Sequence, residues 1–148
     1  HRDLHSFPTR RSSDLEAIYT PWKHLRKGIN YRAELVKGFH LDKWKLRQSF
    51  SKVASNSWVK AKKKMTVEKD YDLRCGQKSL FHCLRILNFA LQICKRGEIM
   101  SFSACNSLYK EIIENENPVW ETYKEKYHEY YNSLSSQLRE VAPKPVGQ

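Results

Sequence analysis

The stretch from Ser79 to Cys94 (SLFHCLRILNFALQIC) constrains this chain more than any other part of it. Leu80, Phe81, Cys83, Leu84, Ile86, Leu87, Phe89, Ala90, Leu91, Ile93 and Cys94 cover most of a helical circumference. A helix that is apolar nearly all round must be enclosed by other elements. It is too short, and too often interrupted by polar residues, to cross a bilayer, and no run of 18 apolar residues occurs in the chain. Gly97 stands where a left-handed C-terminal cap is expected. The rest of the chain therefore has to wrap this helix.

The elements available for wrapping are themselves helical. Asp42 is placed to cap a helix, and Lys43 to Lys64 follows without Gly or Pro. Leu46, Phe50, Val53, Ser57 and Ala61 give that helix one moderately apolar face, and cations gather in its last turn. Met65 to Arg74 reads as a charged connector. Beyond Gly97, Ser103 is expected to cap a helix running to about Asn115, and Asn117 to cap a longer one with Pro118 at its first position. Val119, Trp120, Tyr123, Tyr127, Tyr130, Leu134 and Leu138 form the face of this last helix, which Pro143 ends. The pattern predicts a mainly α protein: a bundle of about four main helices over residues 42–142, a tail at 143–148 and an irregular stretch at 16–41.

The stretch at 1–15 (HRDLHSFPTRRSSDL) needs separate treatment. Back-translated, it resembles a common sequencing-library adapter, and we expect it to be an assembly artefact outside the fold. The native protein is then expected to extend upstream of Glu16. Without the artefact, the formal charge of +11 falls to +10, and residues 16–75 hold a net +9 of it. A basic first half and a near-neutral second half point to an anionic partner for the former.

Two clusters of residues carry possible chemistry. Lys78, His82, Arg85, Asn88 and Gln92 recur at steps of 4, 3, 3 and 4, which places them on one face of the apolar helix. The stripe is either the narrow solvent edge of a central helix or a cleft wall, where Lys78 and Arg85 meet anionic oxygens with His82 between them. Lys60, Lys62, Lys63 and Lys64 form a basic cluster on the preceding helix, which also carries Trp44 and Trp58. Basic groups interleaved with aromatics suit phosphate contact and base stacking; the alternative is a solvated helix end with ordinary core tryptophans. At helical spacing Lys60 and Lys64 share a face, while Lys62 and Lys63 point elsewhere. Tyr123, Tyr127, Tyr130 and Tyr131 of the last helix could stack bases, but a tyrosine stripe on an amphipathic helix reads rather as core and rim.

Other chemistries find little support. Cys75, Cys83, Cys94 and Cys105 lack ligand spacing for zinc and suggest a reducing, intracellular and cytoplasmic setting. No glycine-rich phosphate loop, paired-carboxylate strand motif or nucleophile–base arrangement is present. Glu68, Asp70 and Asp72 alternate, but within a Lys-rich connector.

The segment from Phe50 to Gln92 resembles the helical part that follows the catalytic domain in nucleotidyltransferase-like proteins of the DNA polymerase beta superfamily. The likeness rests on Trp58-Val59-Lys60-Ala61-Lys62-Lys63-Lys64, on Val67-Glu68-Lys69-Asp70, and on Lys78-Ser79-Leu80-Phe81-His82 with Leu84-Arg85-Ile86-Leu87. Weaker echoes are Glu16-Ala17-Ile18-Tyr19, Gly97-Glu98-Ile99 and Ala104-Cys105-Asn106. The resemblance implies that a lysine of the 60–64 cluster, with Lys78 and Ser79, faces the phosphates of a nucleoside triphosphate. Mg²⁺-dependent transfer would then belong to an upstream domain, leaving this portion inactive alone. Lys78 and Ser79 are expected at a helix N-terminus, where free N–H groups favour anions. The expected function is thus the nucleotide- or substrate-binding helical portion of such a protein. The alternative is a basic helical module that binds nucleic acid or a protein partner without catalysis; neither reading needs a membrane.

Overall fold

A computed structural model describes residues 42–97, 99 and 105–146. The adapter-like residues 1–15, the stretch at 16–41 and Ser103 lie outside the described residues. The described residues form four α-helices: α1 (Lys43–Thr66), α2 (Leu73–Arg96), α3 (Asn106–Ile113) and α4 (Trp120–Val141). A single 3-10 turn, Glu68–Asp70, lies between α1 and α2, and the described residues contain no strand.

α1 begins where Asp42 accepts a hydrogen bond from the Lys45 N–H at 3.1 Å, as its sequence position predicts. It ends later than expected. Met65 is buried in the helix and does not belong to a connector, which shrinks to Val67–Asp72. The buried face also differs from the expected one: Leu46, Phe50, Ala54, Ala61 and Met65 are enclosed, whereas Val53 and Ser57 lie at its margin.

α2 starts six residues earlier than the apolar pattern alone indicates. Asp72 caps it by accepting from the Cys75 N–H at 3.1 Å. At its far end Gly97 adopts φ 80° and returns its N–H to the Ile93 carbonyl at 2.8 Å, the left-handed cap the sequence predicts. Nine of its large side chains and small fillers, from Leu80 to Ile93, are essentially enclosed, each large one contributing about 1.5–3 kcal/mol of transfer free energy.

Side-chain contacts fix the helix directions. Met65 lies against Gly76, and the Lys43 charge reaches Cys94, so α1 and α2 run antiparallel. Tyr109 meets Phe81 edge-on at 5.0 Å and the Ile112 carbonyl accepts from Gln77, so α3 runs back along the first half of α2. Tyr123 pairs with Gln77 and Tyr130 with Asn88, which makes α4 parallel to α2. α4 is antiparallel to α1, since Arg47 donates to the Ala142 carbonyl and Tyr131 bonds Ser55. The result is an up-down-up-down bundle with α2 touching every other helix.

The entry to α4 departs from expectation. The helix starts at Trp120, and neither Asn117 caps it nor does Pro118 occupy its first position. Asn117 is held by the Asn115 side chain, which accepts its N–H at 2.8 Å, and its own amide donates to the Thr122 hydroxyl at 3.0 Å. An Asx-type turn therefore consumes the residue that would otherwise have capped.

Candidate functional site

The charge on the four helices is divided sharply. α1 carries eight Lys/Arg and no Asp or Glu, and α2 carries five and none. α3 and α4 together carry four basic and five acidic residues. The acids next to the α1–α2 hairpin sit at its ends: Asp42 before α1, and Glu68, Asp70 and Asp72 in the connector. Because α1 and α2 pack along their apolar faces, most of their cations are left at the outer surface of the hairpin.

On this surface Lys60, Lys62 and Lys63 are exposed at the C-terminal end of α1. Lys64 is not equivalent to them. Its ammonium is 2.8 Å from the Asp70 carboxylate, and that hydrogen bond is the main reason its pKa is raised. Of the four clustered lysines, three remain available to a ligand.

Across the hairpin, Lys78 is exposed, His82 and Arg85 are half-buried, and Ser79 is buried. Ser79 and Lys78 do not stand at a helix N-terminus, contrary to the sequence reading. α2 has already run for a full turn before them, so their N–H groups are inside the helical ladder. The open end of α2 is occupied by the Asp72 carboxylate, which repels a second anion. Ser79 is consequently removed from the candidate phosphate contacts, and Lys78 remains as a side-chain cation only.

Lys60, His82 and Arg85 do come together. The Arg85 guanidinium lies 3.4 Å from His82 Nδ1, and its face spans the Phe81 and Phe89 rings at 5.4 and 5.8 Å. His82 has a pKa below its ordinary value, first because burial penalises the imidazolium and then because Arg85 and Lys60 add positive charge. The Arg85 Nε is enclosed without a hydrogen-bond partner. Further along the stripe, Gln92 donates to Asn88 at 2.7 Å and Asn88 also engages Tyr130, so this half serves helix packing.

The aromatics divide in the same way. Trp58 is wedged into the α1–α4 seam, with its ring centroid 5.0 Å from Trp120, 4.9 Å from Tyr131 and 5.6 Å from His128. Trp58 is half-buried, and three neighbouring rings use it for packing. Trp44 is half-buried near the start of α1 and carries the Arg47 guanidinium over its ring at 4.8 Å. Sequence reasoning missed Arg47; its i, i+3 spacing from Trp44 on an acid-free helix was the available signal.

Two hollows open at the surface. The larger, of about 490 Å³, lies along α4 alone between Glu121 and Asn132, with no second element to close it. The other, of about 430 Å³, is a groove between α1 and α4. Among the described residues no three His, Cys, Asp or Glu groups could hold a metal ion. The carboxylates nearest the lysine cluster are already engaged, Asp70 by Lys64 and Asp72 by the cap of α2, so these residues do not fit a Mg²⁺ site. No described helix is long and apolar enough to cross a membrane. No family model matches this chain, and neither a curated protein nor a solved structure matches it significantly.

Proposed function

We propose that this bundle binds the phosphate backbone of a nucleic-acid strand through the outer surface of the α1–α2 hairpin. The observation that carries the reading is the absence of any acidic residue from either helix, against thirteen basic ones. An isolated lysine run is commonplace, but two packed helices of one sign make a field that a single carboxylate could have interrupted. Lys60, Lys62 and Lys63 supply exposed cations, and Lys78 and Arg85 extend the track across the hairpin. The reading rests on phosphate contact and not on base stacking, since Trp58 packs against the core.

The experiment is fluorescence polarisation of the 148-residue chain with a labelled 20-nucleotide RNA and with a DNA duplex, between 50 and 200 mM salt. Binding should weaken steeply with salt, and the Lys60→Ala/Lys62→Ala/Lys63→Ala variant should flatten the logarithmic slope by about 2 for the single strand. No binding at 50 mM salt, or a slope the triple variant leaves unchanged, would refute the reading.

A second reading is favoured by one observation, the convergence of Lys60, His82 and Arg85. It places the triphosphate of a nucleotide at this edge, in line with the resemblance to nucleotidyltransferase-like proteins, whose Mg²⁺ carboxylates lie in a different domain. Calorimetric titration with Mg-ATP separates the two. Saturable binding that Lys60→Ala and Arg85→Gln abolish supports this alternative, and no heat at millimolar nucleotide removes it.

A further inference from the structure

The groove between α1 and α4 lies toward the opposite end of α1 from the lysine cluster and takes no part in the strand-binding surface. Its walls include Arg47, Ser51 and Ser55 from α1, and Asn132, Ser135 and Arg139 from α4. Two guanidinium groups therefore share one hollow of about 430 Å³ whose other polar lining is hydroxyl and amide. Among the described residues no carboxylate lines it. The ion pairs among the described residues, Lys64–Asp70 and Lys126–Glu111, lie elsewhere.

Arg47 is held in place rather than solvated at random. One of its Nη atoms donates to the Ala142 carbonyl at 3.0 Å, and its plane rests over the Trp44 ring. This anchoring fixes the guanidinium fork, and among the described residues one of its five donors is spent. Arg139 is exposed and near enough that its charge contributes, after burial, to depressing the Arg47 pKa. Holding two like charges together, with no carboxylate between them among the described residues, costs free energy in the groove. A bound anion returns that cost and adds charge-assisted hydrogen bonds.

We infer that the α1–α4 groove is a binding site for a phosphomonoester, whose phosphoryl group bridges Arg47 and Arg139 with the Ser51 and Ser135 hydroxyls as further donors. The fork geometry of guanidinium suits a phosphoryl group, and hydroxyl donors suit its third oxygen. The volume lies in the range of small-molecule sites, which leaves room for the unit that carries the phosphate. That unit is either a small polar molecule such as a sugar phosphate or the 5′ end of a nucleic-acid strand; both present the same terminal dianion.

The test is NMR titration of the 148-residue chain with ribose 5-phosphate and, separately, with a 5′-phosphorylated and a 5′-hydroxyl trinucleotide. Shift changes should centre on Ser51, Ser135 and the Arg47 and Arg139 side chains. Arg139→Gln should weaken binding about tenfold or more. Ser135→Asp, which puts a carboxylate into the groove, should abolish it. Both positions lie outside the fully enclosed core, so an unchanged thermal melt separates loss of binding from loss of fold. The Lys60→Ala/Lys62→Ala/Lys63→Ala variant should bind ribose 5-phosphate normally, which keeps this site distinguishable from the strand-binding surface. Preference for the 5′-phosphorylated trinucleotide identifies a strand end as the source, and binding of ribose 5-phosphate alone identifies a small molecule. No shift with either at millimolar concentration, or affinity unaffected by Arg139→Gln, would overturn the assignment.

Discussion

Gln77 and Tyr123 meet inside the bundle, the Gln77 amide donating to the tyrosine oxygen at 3.0 Å, and both donate to the carbonyl of Ile112, at 3.2 and 2.6 Å. That carbonyl is in the last turn of α3, where no helical N–H can reach it. Three helices are thereby tied at one buried point. Tyr123→Phe removes one donor to Ile112 and one acceptor of Gln77, and is expected to cost about 1–2 kcal/mol. In a domain of this size the melting temperature should fall by about 5 °C or more. A melt within a degree of wild type would show that the tie contributes nothing net.

Gly76 sits within α2 because Met65 leaves no room for a side chain. A Cβ at this position would stand 2.9 Å from Met65 Cγ and 3.2 Å from Lys64 Cβ. Replacing a helical glycine by alanine ordinarily gains about 1 kcal/mol, but here overpacking of about 1–3 kcal/mol opposes it. Gly76→Ala should therefore destabilise by about 1 kcal/mol, read from urea unfolding. In a Met65→Ala background the same change should be neutral or stabilising, because the closest atom is gone. Equal effects in the two backgrounds would sink the argument.

These two positions also show where the sequence was legible and where it was not. The enclosed helix from Ser79 to Cys94 announced itself through composition, since only burial tolerates so many apolar residues in succession. Its first turn and a half did not, because Gly76 resembles a breaker and Gln77 and Lys78 look solvated. The reason for Gly76 is a residue on another helix, and the reason for Gln77 is a main-chain carbonyl, neither of which leaves a local pattern. Ala54, not Val53, lies on the buried face, and alanine leaves no trace of this in the sequence because it suits either face of a helix. The basic character of the candidate surface was visible as a charge imbalance. The groove was not, because Arg47 and Arg139 are far apart in the chain and meet only when α4 packs antiparallel to α1.

The four thiols differ enough in environment to report on the fold. Cys83, Cys94 and Cys105 are buried, and burial pushes each thiol above its ordinary pKa, whereas Cys75 is half-exposed near the start of α2. A thiol that is both enclosed and held protonated is a poor nucleophile. Titration with a disulfide reagent at pH 8 should label one cysteine quickly, and Cys75→Ser should remove that phase. The other three should react only at the rate of unfolding. Two or more rapid equivalents in the native protein would contradict the packing of α2 against α3 and α4.

His82 gives the bundle a pH dependence whose sign follows from its surroundings. Burial is the larger cause and the charges of Arg85 and Lys60 the smaller, and all three push its pKa below the ordinary 6.5. The unfolded chain therefore takes up a proton that the native chain resists. The stability linked to His82 is present in full above pH 6.5 and is lost as pH falls from there through the depressed native value. His82→Gln should remove this component, so wild type should lose more stability than the variant between pH 7.5 and 5. An NMR titration of the imidazole measures the same linkage directly and also reports on function. The midpoint should lie below 6.5 in the free protein and rise when polyphosphate binds beside Lys60 and Arg85, because the anion favours the imidazolium. A midpoint at or above 6.5 in the free protein would refute the environment assigned to His82. A midpoint that polyphosphate does not move would show that this edge of the hairpin meets no anion.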